Sequence, residues 1–266
     1  MFIPLDSHGH LINLADAEKV GPQWRPLIET LVDECRSRYE DLASVYLRGS
    51  VATGTAQWGR SDLDLIAVTY QERGFDRAWI QQAVERTLSR HSVVVDIDLA
   101  ITSATAVLTD RKSGFYIKTQ SALVYGEDFA PRIAPYPIDA EAFSHLFNLE
   151  LDLKTVTGAL AGASDALTRT LIMRLVKRVL RACLELVAER HQAYTRDPEM
   201  CCEVFEKYHP ERADAARNVL GLMTEFTDPD DALESIESLI QWIAVERSRI
   251  YPLELPKIAF IDDLGI

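Results

Sequence analysis

Several things are missing from this chain, and each absence removes a class of function. No apolar run is long enough to cross a bilayer. The opening "MFIPLDSHGH" has neither the basic segment nor the apolar core of an export signal, so the sequence reads as cytoplasmic. The four cysteines, Cys35, Cys183, Cys201 and Cys202, have no C-x-x-C spacing. That excludes the common zinc patterns and leaves reduced, structural thiols. Positive charge is scarce: 28 Lys and Arg against 41 Asp and Glu give a formal net charge of −13. Such a chain repels a nucleic-acid backbone and favours cations, metal ions or polycationic small molecules among them. His8 and His10 read as a surface loop rather than a metal site.

What is present is a folded chain of 266 residues, 47% apolar and 26% charged, long enough for one large domain or two ordinary ones. The first half alternates helix and strand patterns. Gln23 to Leu42 carries a helical stripe of Trp24, Leu27, Ile28, Leu31 and Cys35. "ASVYLRGS" is a strand entering a turn. "LDLIAVTY" is a strand with Leu63, Leu65, Ala67 and Thr69 on one face, "RAWIQQAVERTL" a helix, and "SVVVDIDLAI" a strand. A helix over Ala104 to Thr119, weakened at Gly114, precedes a short strand in "ALVYG". The proline-rich "APRIAPYPID" reads as a linker. Beyond it the patterns are all helical: Asp139 to Leu160, Ser164 to His191, Pro198 to Tyr208, Pro210 to Thr224, and Asp228 to Tyr251. The expected layout is an α/β domain over 1–130, a linker over 131–138 and a helical domain over 139–266.

The stretch "RGSVATGTAQWGRSDLDL" concentrates the chemistry. Its glycines have P-loop spacing, but Thr55 and Ala56 stand where a P-loop needs Lys and Ser or Thr. On a strand, Asp62 and Asp64 share a face with Cα atoms about 6.5 to 7 Å apart. Two like charges so placed repel unless a cation neutralises them, so losing one is expected to leave the metal-free fold intact or slightly stabler. Mg²⁺ is held by such carboxylates together with substrate phosphates. Asp96 and Asp98 also share a face, with Val95, Ile97 and Leu99 toward the core. Should that strand lie beside the first pair, one of the two would meet it. Gly49 and Ser50 can offer N–H groups and a hydroxyl to phosphate oxygens. Loop and carboxylates can thus serve one ligand, a nucleoside triphosphate carrying Mg²⁺.

Gly49-Ser50, an eleven-residue spacer, Asp62-Leu63-Asp64-Leu65 and a later Asp96 together resemble the nucleotidyltransferase superfamily with the DNA polymerase β-like fold. The match runs from about Tyr46 to Ala100. Length and a helical second half are similar to the bacterial two-domain adenylyltransferases that modify aminoglycosides. The resemblance implies an α+β fold: a mixed β-sheet flanked by helices, then a C-terminal all-α bundle. It implies two Mg²⁺ ions and transfer of a nucleoside monophosphate from an NTP, ATP by preference, with loss of pyrophosphate. Asp62, Asp64 and Asp96 would bind metal, and Asp96 could serve as base toward the acceptor hydroxyl. Asp96 is preferred to Asp98 because the third carboxylate of that superfamily follows a short apolar run, here "VVVD"; Asp98 stays an alternative. Gly49 and Ser50 would hold the β- and γ-phosphates.

The helix "TRTLIMRLVKRVLRACLELVAER" has Leu171, Leu175, Val179 and Leu186 on an apolar face. Arg174, Lys177, Arg178 and Arg181 form a basic strip. The strip is either a solvated face or a triphosphate clamp, with Lys177 the first choice as phosphate contact. Trp58 either covers the nucleotide or anchors its loop. Tyr194, Phe205 and Tyr208 pack between helices or border a substrate cleft. Three functions compete. One is adenylyl transfer to a hydroxyl of an aminoglycoside-like small molecule. Another is nucleotidylation of a protein or tRNA in stress or toxin–antitoxin biology, for which a tRNA would need a larger basic patch. The third is a non-catalytic nucleotide-binding regulatory module, which would be expected to have a broken carboxylate set.

Overall fold

The computed structural model describes the chain except residues 1, 73–75, 92, 93, 95, 140–142, 144, 227 and 253–266, and the side chain of residue 112. Two compact units emerge. One spans His10–Pro137; the other joins Met1–Gly9 to Ile138–Ile266. The first residues enter the second unit through Ile3, whose N–H donates to the Tyr194 carbonyl at 2.8 Å.

The first unit is built on a four-stranded mixed sheet in the order β3-β2-β1-β4. Strand β1 (Leu42–Arg48) runs antiparallel to β2 (Leu63–Thr69) and to β4 (Ser121–Gly126), while β3 (Ile97–Ser103) lies parallel to β2. A parallel neighbour needs a crossover, supplied by α3 (Arg77–Arg90) and capped where Asp76 accepts from the Trp79 N–H. Leu63, Leu65 and Ala67 of β2 and Val45 and Leu47 of β1 pack into one core with Leu27, Leu31 and Cys35 of α1 (Arg25–Arg38). Strand alternation sends Arg48 and Asp64 to the opposite face.

Sequence expectations needed three adjustments here. Helix α1 ends at Arg38; Tyr39 is already extended, and Leu42 belongs to β1 although its apolar side chain continues the helical stripe. The helix expected over 104–119 is two, α4 (Ala104–Thr109) and α5 (Arg111–Gln120). The break is at Asp110, whose carboxylate accepts from the backbone N–H (2.9 Å) and hydroxyl (2.6 Å) of Ser113. Gly114 instead marks a close approach: a Cβ there would lie 2.8 Å from the Val107 carbonyl oxygen. The strand expected through "SVVVDIDLAI" is described from Ile97 onward, and Val95 lies outside the described residues.

The second unit is helical: α6 (Leu149–Leu160), α7 (Asp165–His191), α8 (Pro198–Tyr208), α9 (Ala213–Gly221) and α10 (Pro229–Ile250). Residues 140–142 and 144, within the helix expected from Asp139, lie outside the described residues, and the described helix begins at Leu149. The helix expected over 210–224 is a short 3₁₀ turn, Pro210–Arg212, followed by α9. Asp197 and Asp228 cap α8 and α10, each with proline in the first turn. Leu171, Leu175, Val179 and Leu186 are buried, as their spacing predicts. The basic strip is not one solvated face. Arg178 is only 6% exposed, and its Nε donates to Asp152 of α6 at 2.5 Å. Arg181 donates to the Arg196 carbonyl at 3.3 Å. Of the strip, Lys177 is the exposed member. All four cysteines are buried free thiols. Burial pushes Cys35, Cys201 and Cys202 up to about 12, which suits structural rather than reactive thiols.

A buried pair makes this unit acid-sensitive. The Glu185 carboxylate accepts from the Leu146 N–H at 2.6 Å and from His145 Nδ1 at 2.7 Å. Burial lowers His145 to about 4, against the pull of Glu185 toward the charged form. The unfolded chain therefore binds an extra proton between pH 6.5 and 4. Stability is fully present above pH 6.5 and falls as pH drops through that window, by as much as about 3 kcal/mol. Denaturant unfolding followed by helical circular dichroism at pH 7, 5.5 and 4.5 checks this. A flat profile in that window contradicts it.

Candidate active site

The candidate site is assembled at one end of the sheet. Strand β1 ends at Arg48, and the chain turns at Gly49 into a five-residue helix, α2 (Gly49–Thr53). Gly49 has φ +74°, and a Cβ on it would overlap the Asp64 carboxylate. Only glycine permits both the backbone turn and the close approach. The glycine turn and the second aspartate of the pair are therefore one constellation.

Register decides how the acidic residues meet. Arg48 stands directly opposite Asp64 on one side, and Asp98 stands directly opposite Asp64 on the other. Asp62 and Asp96 come two residues earlier, each just before its strand, where the Leu63 N–H donates to the Asp96 carbonyl at 3.0 Å. Asp62 is exposed; Asp64, Asp96 and Asp98 are half-buried. One Asp96 carboxylate oxygen accepts from the Ile97 N–H at 2.8 Å. Both pairs of acidic residues thus lie at the same end of adjacent strands. Among the described residues, no group of three or more His, Cys, Asp or Glu side chains is gathered closely enough to hold a metal ion.

Arg48 is the residue that sequence reasoning passed over. It is 7% exposed; its Nη2 donates to Asp98 at 3.0 Å and lies 4.0 Å from Asp64. The only local signal was an arginine closing an apolar strand just before the glycine. Trp58, in the loop between α2 and β2, is 59% exposed with its ring centroid 6.1 Å from that of buried Trp24. Its loop is closed by Ser61, whose hydroxyl accepts from the Gln57 N–H at 2.8 Å. Lys177 belongs to the helical unit.

Substitution of Gly49 tests the constellation directly. Gly49→Ala is expected to lose about 1–2 kcal/mol of stability from the left-handed backbone alone and to displace the Asp64 carboxylate. Urea unfolding should show the stability loss. Wild-type stability in this variant would mean the turn relaxes freely.

The first unit thus sets a glycine turn on a mixed four-stranded sheet against the second aspartate of a pair. Residues 28–140 match the family described as "Nucleotidyltransferase domain". No curated protein matches the chain. Among solved structures it is similar to the spectinomycin adenyltransferase AAD(9) from Enterococcus faecialis, crystallised with ATP and spectinomycin. The two chains are 13% identical with a TM-score of 0.52, over 82% of this chain and 98% of that one. At that identity the likeness is one of fold, and its coverage reaches into the helical second half.

Proposed function

We propose that this chain moves AMP from ATP to a hydroxyl of a small, polycationic acceptor, using Mg²⁺. The observation that carries the reading is the placement of the Asp64 carboxylate against Gly49, which supports a turn holding phosphate beside a carboxylate holding a cation. The family match supports nucleotidyl transfer, and the similar structure was solved with ATP and spectinomycin. The net charge of −13 favours a cationic acceptor.

The donors at the sheet end are carboxylate oxygens, the hard ligands Mg²⁺ prefers, and few enough to leave positions for substrate phosphates. Asp62, Asp64 and Asp96 would hold it, and bound there it would neutralise charge on the triphosphate and the leaving pyrophosphate. Gly49 and Ser50 would hold β- and γ-phosphate oxygens through backbone N–H groups. Asp96 would accept the proton of the acceptor hydroxyl as that oxygen attacks the α-phosphorus in line.

Lys177, exposed on α7, is proposed as a point charge on the β- or γ-phosphate. A charge-assisted contact is worth about 1.5 to 3 kcal/mol, so Lys177→Ala should weaken ATP binding roughly ten- to a hundredfold with the fold unchanged. Calorimetric titration of Mg·ATP into both proteins decides; equal affinities place Lys177 away from the triphosphate. The activity itself is tested with each labelled NTP and Mg²⁺ against a panel of aminocyclitol and aminoglycoside acceptors, and against cell extract. Acceptor-dependent pyrophosphate release from ATP is expected. Labelling confined to a protein or RNA in the extract would replace the small-molecule reading.

A further inference from the structure

Arg48 takes no part in the mechanism above, yet its guanidinium reaches two of the acidic residues at this end of the sheet, Asp64 and Asp98. A charge so deeply buried needs counter-charges, because its own hydration has been lost. It finds them in the acidic row, donating to Asp98 Oδ2 at 3.0 Å with Asp64 Oδ1 at 4.0 Å. Its guanidinium carbon also lies 5.0 Å from the centre of the Tyr116 ring. The register makes this a straight row: Arg48, Asp64 and Asp98 occupy directly opposed positions on three adjacent strands, with side chains on one face. Without the arginine, two carboxylates directly opposite one another would repel.

We propose that Arg48 is a built-in counter-cation of this site, anchored on Asp98 and sharing Asp64 with an incoming divalent ion. The inference rests on the reading of Asp62, Asp64 and Asp96 as the metal-binding set. It gives Asp98 a different task from the other three: it serves the arginine. It also has a functional consequence. A resident positive charge stabilises the acidic row in the empty protein and weakens its hold on a free metal ion. Tight metal binding then requires the added negative charge of a triphosphate, so metal and nucleotide arrive together.

The test uses Mn²⁺ as probe, on the full chain without nucleotide, with free ion measured by electron paramagnetic resonance. Arg48→Met should bind Mn²⁺ about tenfold more tightly than wild type, because a like charge within a few ångströms has gone. Arg48→Lys, which restores the charge, should bind near the wild-type level. The metal-free Arg48→Met protein should melt at lower temperature, and Mn²⁺ should raise its melting point more than it raises that of wild type. Should Arg48→Met fail to fold, Arg48→Gln removes the charge while keeping a hydrogen-bonding side chain. An arginine with a purely structural role would lower stability in every variant and leave Mn²⁺ affinity unchanged, which would overturn the inference. Weaker Mn²⁺ binding in the uncharged variants would overturn it too. The underlying reading fails differently: Mn²⁺ binding would then be unaffected by Asp64→Asn, or absent from wild type even with ATP. Binding that depends on Asp64 but ignores the charge at position 48 sinks the counter-cation alone.

Discussion

Asp64→Asn is expected to abolish nucleotidyl transfer, by about 10²- to 10³-fold or more, while the protein stays folded. A group that stabilises charge in the transition state typically contributes that much, and Asp64 is the carboxylate set against the Gly49 turn. Asp62→Asn should cost a comparable factor for the same reason. The stabilities of the two variants should differ. Asp62 is exposed, so neutralising it is expected to change stability by no more than a surface charge contributes, about 1 kcal/mol or less. Neutralising Asp64 takes one counter-charge from buried Arg48, leaving Asp98 to hold it, and lowers stability slightly. Repulsion within the aspartate pair, considered by itself, predicts the opposite sign. Pyrophosphate release and thermal unfolding, measured on both variants, separate these outcomes. Full activity in either would remove that residue from the metal set.

The second large effect concerns the third carboxylate. Asp96→Asn is expected to abolish transfer, because the position stands beside Asp62 at the open start of the two strands and would supply both a metal ligand and the base. Asp98→Asn should only weaken transfer, since its carboxylate already accepts from Arg48 at 3.0 Å. Single-turnover rates with saturating ATP give the ranking. An inactive Asp98→Asn beside an active Asp96→Asn would move the catalytic role to Asp98.

Much of this was readable without coordinates. Periodicity of 3.6 found the buried stripe of α7, and alternation of two found the core face of β2. Proline after Asp228 and Asp197 marked two helix starts. Local rules failed where a local signal was ambiguous. Gly114 looks like a helix breaker, yet the break belongs to Asp110, whose carboxylate caps the following helix; the glycine is there for close packing. Arg178 looks like a surface cation on a 3.6-residue strip. It is buried because α6 brings Asp152 to it, and no pattern within α7 records that.

By itself the sequence determined the chemistry on offer: a turn that only glycine can make, two aspartates at the start of one strand, two more at the start of a later one, and a helical second half. Each of these follows from backbone geometry over a few residues, which composition and spacing encode directly. The tertiary structure decided which of those groups meet. Alternation of two says that Asp96 and Asp98 share a face, but it is silent on which one lies opposite Asp64, because parallel register is set by packing between segments far apart in sequence. That register put Asp98 beside Asp64 and brought Arg48 into the same row, turning a set of carboxylates into a site with its own internal cation.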